Sequence, residues 1–261
     1  MADPMPSLRT VLVTGGGSGI GAALAVGLAG RGCDVIISGR RSATLDAVAA
    51  SAEQVTACVG DITDASHRAG LVETLAAAPG PRGVFHGAGF FQVGPLGSLS
   101  AAEWHDSFDT NVTARWQLST DCAPLLDDGR LLFIGSDAGA NPRPGGAAYS
   151  VAQAASETLR RSLQAEWAGT GRAVGGFKPG LVDTEMVRGF MALPVEEFPA
   201  RPAYEDYVDR GRLATPELVA RFAAWLLLDV DTPRFVETEW DIRDESHHHE
   251  WTDMPLYPNA R

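Results

Sequence analysis

Short apolar runs alternate with longer amphipathic stretches along most of the 261 residues. The apolar runs end at a glycine or a polar residue and are RTVLVTG, DVIISG, QVTACVGD, GVFHGAG, GRLLFIGS and AVGGFKPG. The stretches between them, such as GAALAVGLAGR and AAEWHDSFDTNVTARWQLSTDCAPLL, carry apolar residues at helical spacing. Strands that are buried on both faces and alternate with helices predict an α/β fold with a doubly wound parallel sheet.

The chain carries no internal repeat, linker or low-complexity tract, so we predict a single domain over residues 1–261. Near the C-terminus, RFVETEWDIRD predicts a last strand, followed by a tail over residues 244–261. Residues 185–212 depart from the alternating pattern because they are rich in proline, methionine and aromatic residues. We expect this segment to be a mobile flap over a binding site, with a pair of framework helices as the alternative.

Composition narrows the possible partners. A formal net charge of −12 argues against binding to nucleic acid or to an anionic membrane surface. The longest apolar run, residues 222–228, is too short to span a bilayer, and the N-terminal residues lack an apolar signal core. Cys33, Cys58 and Cys122 have no metal-ligand spacing and stand in apolar surroundings, which indicates reduced core residues. We therefore expect a cytoplasmic protein without a metal site.

A glycine-rich turn, TGGGSGIG, follows the first strand and runs directly into a helical pattern. Glycines in such a turn let the backbone approach a pyrophosphate, whose charge then meets the N-terminus of the helix. Because the turn opens a strand–helix–strand pattern, it favours dinucleotide binding over a plain structural turn. The predicted contacts are Gly15, Gly17, Ser18, Gly19, Ile20 and Gly21.

The end of the second strand indicates which dinucleotide is bound. Proteins that bind NAD usually place an acidic residue here for the ribose 2′-hydroxyl, whereas this chain has Gly39-Arg40-Arg41. Arginines attract a 2′-phosphate, so we predict NADP(H). The alternative, a solvated arginine pair that opens a helix, is stronger for Arg41 than for Arg40. After the third strand stand Asp61 and Ile62, where Asp61 either accepts a hydrogen bond from the adenine amino group or caps the next helix.

Further motifs give the sequence a family resemblance. They are HGAG at residues 86–89, Asn111-Val112 within a helix, Ser136 after a strand, Tyr149 near the start of the next helix, and Pro179-Gly180-Leu181-Val182-Asp183-Thr184. Together with the glycine-rich turn they resemble the short-chain dehydrogenase/reductase family from Leu8 to Thr184. The resemblance implies a Rossmann-type fold, a small-molecule carbonyl substrate, and a homodimer or homotetramer.

The resemblance also implies roles for individual residues. Ser136 would bind the carbonyl oxygen, Tyr149 would give it a proton, and Asn111 would hold a helix kink and a proton-relay water. The cofactor contacts would include Gly87, Ala88, Gly89, Pro179, Gly180, Val182 and Thr184. His86, where family members usually have asparagine, is interpreted as structural rather than catalytic.

One position of the catalytic set departs from the family. The resemblance places a lysine one helical turn after the tyrosine, where it holds the nicotinamide ribose and lowers the tyrosine pKa, but this chain has Gln153. An amide can hydrogen-bond the ribose but brings no charge. Unassisted, Tyr149 should keep a pKa near the tyrosine reference value of about 10. Such a phenol is a proton donor for reduction more readily than a base for alcohol oxidation.

Lys178 is the one candidate for a replacement cation that the sequence offers. It is the only lysine in the chain and ends the predicted strand just before Pro179-Gly180. It either lends charge to the site or points to solvent as an ordinary strand-end lysine.

Aromatic residues indicate where the substrate binds. Phe90 and Phe91 follow HGAG directly, and Met186 and Phe190 come from the 185–212 segment. They predict an apolar wall for a bulky apolar or aromatic carbonyl compound, although core packing explains the same residues equally well. The run His247-His248-His249 lacks zinc-ligand spacing and is interpreted as part of an exposed tail or a subunit contact.

These features favour an NADPH-dependent ketoreductase, with Tyr149 as proton donor and Ser136 binding the carbonyl oxygen. The alternative is an NADP(H)-binding protein of the same fold with non-redox chemistry, such as a cyclisation, dehydration or isomerisation. Retention of Asn111, Ser136 and Tyr149 together favours the reductase.

Overall fold

The polypeptide folds around one parallel sheet. The structure is a computed structural model that describes residues 8–258 and Ala260, so the outer limits of the predicted domain and tail lie outside the described residues. The strands are β1 (Thr10–Thr14), β2 (Asp34–Gly39), β3 (Val55–Val59), β4 (Arg82–His86), β5 (Arg130–Ile134), β6 (Ala173–Lys178) and β7 (Trp240–Asp241). They pair in the order β3-β2-β1-β4-β5-β6-β7, every pair parallel. The predicted α/β fold with a doubly wound sheet in a single domain is confirmed.

Helices cover both faces of the sheet. They are α1 (Gly19–Ala29), α2 (Ser42–Ala49), α3 (Ala65–Ala77), α4 (Ala101–Phe108), α5 (Ala114–Cys122), α6 (Ala147–Glu166), α7 (Glu185–Met191), α8 (Arg201–Asp209), α9 (Pro216–Leu228), α10 (Thr232–Glu237) and α11 (His248–Trp251). One core cluster joins the sheet to α1, α2 and α9, and a second joins it to α3, α5 and α6.

The strands are apolar throughout because each of their faces contacts one of these clusters. In β1, Val11 and Val13 belong to the first cluster and Leu12 to the second. In β5, Leu132 belongs to the first cluster and Leu131 to the second. Successive side chains of a strand point to opposite faces, so a strand buried on both sides has no polar alternation.

The predicted last strand is only partly correct. Of RFVETEWDIRD, only Trp240–Asp241 pairs with the sheet, beside Phe177 and Lys178 of β6. The preceding residues form α10 instead. The Asp231 carboxylate accepts a hydrogen bond from the Arg234 backbone N–H, and Pro233 stands in the first turn, and both features start a helix.

Residues 185–212 contain a pair of helices, α7 and α8. The Thr184 hydroxyl caps α7 by accepting a hydrogen bond from the Val187 backbone N–H. The two helices share a small core of their own around Val187, Phe190 and Phe198. The proline and aromatic residues that suggested a flap therefore start a helix or fill this core, and motion of the segment stays a prediction.

The histidine run is not an exposed tail, which corrects the sequence interpretation. His247 is 6% exposed, and its ring stacks on Phe222 with centroids 5.2 Å apart. The Trp251 indole N–H donates to His247 Nδ1 at 3.1 Å, and His247 Nε2 lies 3.1 Å from the Asp241 carbonyl oxygen. Burial lowers the pKa of His247, which suits a neutral ring that accepts on one nitrogen and donates on the other. His249 alone of the three is exposed.

Two remaining sequence features have simple placements. Cys33 and Cys122 are buried, Cys58 is partly buried, and all three are free thiols. Within residues 8–258, no helix is both long enough and apolar enough to cross a bilayer.

Replacing Trp251 should show that the C-terminal segment belongs to the core. Trp251→Ala removes a ring that is 8% exposed, so we expect a loss of about 3 kcal/mol in the free energy of unfolding. His249→Ala, on an exposed neighbour, should change it by less than about 0.5 kcal/mol. Urea unfolding followed by far-UV circular dichroism measures both. If both variants lost equally little free energy of unfolding, the C-terminal segment would be a surface tail after all.

Candidate active site

The carboxyl ends of the strands open into one large cavity of about 1440 Å³. Every residue predicted from the sequence to contact cofactor or substrate lines it, and so do Ser136, Tyr149 and Gln153. Asn111 is the exception, because it is fully buried behind the cavity wall. The cavity lies outside the carboxyl ends of β1 and β4, the neighbouring strands at which the strand order reverses, and open α/β sheets bind their ligands at such a point.

Two glycines of the turn after β1 are required by close backbone contacts. A Cβ on Gly15 would lie 2.8 Å from the Gly87 carbonyl oxygen, and Gly15 also has a positive φ of 72°. A Cβ on Gly21 would lie 2.3 Å from the Gly15 carbonyl oxygen. The turn is therefore packed backbone against backbone, and it leaves the N-terminus of α1 open towards the cavity.

Thr14, which the sequence interpretation passed over, joins the two central strands at the cavity. Its hydroxyl donates to the Phe85 carbonyl oxygen at 3.2 Å and accepts from the backbone N–H groups of Gly87 and Ala88, each at 3.1 Å. This fixes the HGAG segment against the glycine-rich turn.

Arg40 and Arg41 both reach the cavity, in different ways. Arg41 occupies the N-cap position of α2, and its guanidinium donates to Ser18 Oγ at 3.2 Å. The same guanidinium forms a bidentate pair with Glu185 of α7, at 2.9 Å and 2.7 Å. Arg40 lies 4.0 Å from Asp61 and is largely exposed. Two cations thus lie beside the glycine-rich turn, and one of them, Arg41, is paired with Glu185 of α7.

Asp61 and Ile62 line the cavity next to Arg40. Asp61 Oδ1 accepts from the Thr63 backbone N–H at 2.9 Å and from its hydroxyl at 2.8 Å, and the cap of α3 is Asp64 rather than Asp61. Burial opposes ionisation of Asp61, but the bonds from Thr63 and the charge of Arg40 hold its pKa below the usual value. The helix-cap alternative for Asp61 is therefore wrong.

Tyr149 stands in the first turn of α6, among aromatic rings. Its ring centroid lies 4.6 Å from that of Phe91. Burial raises the pKa of Tyr149 above its ordinary value, against a hydrogen bond with Ser136 and the positive charge of Arg115, which both lower it. The expectation of an unshifted pKa is corrected, because the partly buried phenol packs against Phe91. At neutral pH the group is a protonated phenol.

Asn111 lies in a π-helical segment, Asp109–Thr113, between α4 and α5. Its amide N–H donates to the Phe90 carbonyl at 2.8 Å and to the Ser107 carbonyl at 2.9 Å, while its oxygen accepts from the Phe90 backbone N–H at 3.1 Å. The wider helical turn leaves the Ser107 carbonyl open to a side chain, and the predicted irregularity of the helix is present. Asn111 thereby fixes the loop that carries Phe90 and Phe91.

Gln153 lies one turn after Tyr149 on α6 and is 4% exposed. Its Oε1 is buried and finds no hydrogen-bond partner within the described part of the chain. A buried amide oxygen without a partner is costly, and such atoms often face a ligand site.

Arg115 is a functional candidate that the sequence interpretation missed. It lines the cavity while being only 3% exposed. Lys178, the cation considered from the sequence, lies outside the cavity lining, and its charge acts on Asp241, whose pKa it helps to lower. The signal that could have found Arg115 is its position one helical turn after Asn111, on the face that Asn111 turns towards the site.

The part of the cavity that is predicted to bind the substrate is aromatic. Phe91 packs against Phe190 with centroids 4.8 Å apart, and Phe190 packs against Tyr204 at 5.0 Å. Phe90 and Met186 complete the lining that was predicted here. Phe198 instead fills the core of the helix pair and is fully buried. Some of these aromatic residues therefore line the cavity, whereas Phe198 serves core packing.

His86 stays outside the site. It is 1% exposed, and its Nε2 lies 2.8 Å from the Ser119 hydroxyl. Burial and the nearby charge of Arg115 lower its pKa well below the usual value, so the ring is neutral. This placement agrees with the structural interpretation.

Comparison with known proteins identifies the family. The family described as short chain dehydrogenase matches residues 9–192. Gluconate 5-dehydrogenase from Gluconobacter oxydans is 30% identical over 189 residues, which cover 69% of this chain and 74% of that protein. The 1-deoxy-11-beta-hydroxypentalenate dehydrogenase from Streptomyces avermitilis is 36% identical over 196 residues, covering 70% and 72%.

Solved structures show the same architecture. A putative NAD(P)-dependent gluconate 5-dehydrogenase from Beutenbergia cavernae, with bound NADP, is 30% identical with a TM-score of 0.78, covering 90% of this chain and 95% of that one. The KRED1-Pglu enzyme has a TM-score of 0.82 at 23% identity, covering 90% and 100%, a likeness of fold alone.

The fold and the family match therefore define an oxidoreductase with a Rossmann-like fold. The chain belongs to the short-chain dehydrogenase/reductase family. It is an oxidoreductase that acts on a carbonyl or alcohol group of a small molecule and belongs to a family that uses NAD(P).

Two glycines of α1 give a matched test of the phosphate turn. Gly21→Ala places a Cβ 2.3 Å from the Gly15 carbonyl oxygen, so we expect NADPH affinity to fall by at least about tenfold. Gly27→Ala, in the same helix but with no atom within 4 Å of the new Cβ, should leave affinity unchanged and make the helix slightly more stable. Isothermal titration calorimetry measures both affinities. Unchanged affinity for Gly21→Ala in a folded protein would contradict the placement of the pyrophosphate.

Proposed function

We propose that the protein is an NADPH-dependent reductase of a bulky apolar or aromatic ketone. The observation that carries this proposal is Tyr149, which lines the cavity together with Ser136 and the predicted cofactor contacts, and whose pKa is raised by burial. A protonated phenol can give a proton to a carbonyl oxygen, whereas alcohol oxidation needs the phenolate.

The residues at the site fit a dinucleotide. The glycine cradle is closed to side chains, and the unpartnered Gln153 Oε1 is available to a ribose hydroxyl, which can donate to it. The turn after β1 would hold the pyrophosphate, and Thr184 with the Pro179-Gly180 turn would seat the nicotinamide amide. When bound, NADPH supplies the hydride that the reduction needs.

The protein's own groups manage the charge that develops on the substrate oxygen. In this proposal the Ser136 hydroxyl donates a hydrogen bond to that oxygen, and Tyr149 donates a proton to it. Asn111 holds the adjacent loop through Phe90 and would position a proton-relay water. Gln153, in place of the family's lysine, would hold the ribose without charging the site.

The preference for NADP(H) over NAD(H) rests on Arg40 and Arg41. Both line the cavity beside the turn, and the guanidinium of Arg41 already contacts Ser18. A 2′-phosphate would give Arg41 a second anionic partner beside Glu185. Asp61 would accept a hydrogen bond from the adenine amino group, and Ile62 would pack against the adenine ring.

The preference for an apolar substrate rests on Phe90, Phe91, Met186 and Phe190. These side chains line the cavity, and Phe91 packs against Tyr149, so an apolar group would find apolar contacts beside the phenol. The relatives reported above act, by their names, on gluconate and on a hydroxypentalenate, and the aromatic lining favours the apolar end of that range.

A homodimer or homotetramer and a cytoplasmic location complete the proposal. Trp116 on α5 is 50% exposed and Val151 on α6 is 44% exposed, and exposed apolar residues on these two helices favour a subunit contact there.

Absorbance decay of NADPH against a panel of aromatic ketones and diketones tests the proposed reaction. We expect turnover that Tyr149→Phe lowers by about 10²–10⁴-fold and Ser136→Ala by about 10²-fold. NADPH affinity should be unchanged in both variants, which is the control for folding. Cofactor binding without turnover of any ketone would favour the non-redox alternative, a cyclisation, dehydration or isomerisation.

Coenzyme selectivity has its own test at Arg41. Arg41→Ala should raise the dissociation constant for NADPH by about tenfold and leave that for NADH unchanged, because only NADPH carries the 2′-phosphate. Glu185→Gln should lower the dissociation constant for NADPH, because it frees Arg41 and removes a negative charge that repels the 2′-phosphate. Arg31→Ala, which breaks a comparable bidentate pair with Asp229, is the control. An equal loss of NADH and NADPH affinity in Arg41→Ala would contradict the assignment.

A further inference from the structure

Arg115 is a buried cation enclosed by the elements that carry the site. It donates to the Ala88 carbonyl at 3.0 Å, to the Ile134 carbonyl at 3.0 Å and to Ser156 Oγ at 3.1 Å. Ala88 belongs to the HGAG segment, Ile134 ends the strand that leads to Ser136, and Ser156 lies on α6 one turn after Gln153. The guanidinium therefore lies between the carboxyl ends of β4 and β5 and the helix α6, which carries Tyr149.

The charge of Arg115 has no carboxylate partner. Arg160, equally buried, pairs with Glu157 at 2.6 Å, whereas the buried Arg68 and Arg130, like Arg115, donate to backbone carbonyls. No carboxylate of residues 8–258 lies within 4.0 Å of Arg115. Burying an unpaired charge is costly, and a neutral amide could make some of the same hydrogen bonds. Arg115 differs from Arg68 and Arg130 in its place, because it lines the cavity together with Tyr149.

The group that benefits is Tyr149. Burial lowers the pKa of Arg115 to about 10, so it stays charged at neutral pH, and Tyr149 is the group that raises that pKa against burial. In return, the charge of Arg115 lowers the pKa of Tyr149. The two groups are coupled inside the protein, where charges interact more strongly than in water.

We propose that Arg115 is a positioning residue that supplies from α5 the positive charge that the neutral Gln153 cannot supply from α6. The inference rests on the proposed role of Tyr149 as proton donor. When Tyr149 protonates the substrate, its O–H bond breaks, the proton goes to the substrate oxygen, and a phenolate remains until it takes a proton from solvent. Arg115 stabilises that phenolate without displacing the phenol as the resting state.

The other charged or titratable groups around Tyr149 do not replace Arg115. Burial raises the pKa of Tyr204 of α8, and the charges of Arg143, Tyr149 and Asp137 also act on that pKa. Asp137 is paired with Arg243 at 2.7 Å, and Arg143 is exposed to solvent, which screens it. His86 is neutral. Arg115 is the buried cation that lines the cavity with Tyr149 and whose charge acts on the phenol.

A fluorinated tyrosine incorporated at position 149 tests the proposal in the apoprotein, because its lower pKa brings the titration into the range where the protein is folded. Phenolate absorbance against pH then reports this one group. We expect Arg115→Met to raise its pKa by about 1–3 units and Arg115→Lys to change it by less than about 0.5 unit. Arg130→Met, which removes a buried arginine elsewhere, and Lys178→Met should leave it unchanged. A pKa that Arg115→Met does not move would overturn the proposal.

Gln153→Lys supplies a second arm if Arg115→Met does not fold. In the unchanged background it places a second cation near Arg115, so we expect a lower melting temperature. In Arg115→Met it restores a cation, so we expect the fluorotyrosine pKa to return to within about 0.5 unit of its original value. Equal melting temperatures of Gln153→Lys and the unchanged protein would overturn the proximity on which the proposal depends.

The titration separates this inference from the proposed reaction. If the pKa responds as expected but no ketone is reduced, Arg115 tunes Tyr149 and the reductase proposal fails. If ketones are reduced but Arg115→Met leaves both the titration and the pH profile of kcat/KM unchanged, the reductase stands and the role of Arg115 fails.

Discussion

Burial of the sheet on both faces is the constraint on which the structure depends. It requires parallel strands joined by covering helices, and it brings the carboxyl ends of β1, β4, β5 and β6 to one edge. The strand order reverses between β1 and β4, so the connections after these strands diverge and leave a crevice. Thr14 and Gly15 then hold the end of β1 against Gly87 and Ala88 after β4, so backbone atoms form this part of the crevice wall.

The chemistry follows from how deeply this crevice is enclosed. Burial raises the pKa of Tyr149, and Gln153 Oε1 is buried without a partner in the described part of the chain. The buried charge of Arg115 interacts with Tyr149 more strongly than it would in water. In the proposed reaction, a phenol in these surroundings would be a proton donor in its resting state. A nearby cation lowers the cost of its ionised form without making that form dominant, which suits reduction more than oxidation at neutral pH.

Sequence patterns predicted the framework and most of the cavity lining, because strand periodicity, glycine turns and strand ends are local signals. They failed mostly where distant contacts decide the outcome. RFVETEWDIRD resembles a strand, but its first residues continue a helix that Asp231 and Pro233 start just before it, a local signal that the strand prediction overlooked. The histidine run resembles a tail, but its fate is set by Phe222 and Trp251. Arg115 resembles a surface arginine of an amphipathic helix, and only the packing of α5 against β4, β5 and α6 encloses it.

The pH dependence of ketone reduction tests the central claim most directly, since it reports the protonation state of the group that acts. Burial raises the pKa of Tyr149, so the phenol is fully present across neutral pH and is lost only as the pH rises through that pKa. The account predicts that kcat/KM with NADPH is level through neutral pH and declines on the alkaline side, and that Tyr149→Phe abolishes this decline. A rate that rises from neutral to alkaline pH would contradict it, because the acting group would then be a base.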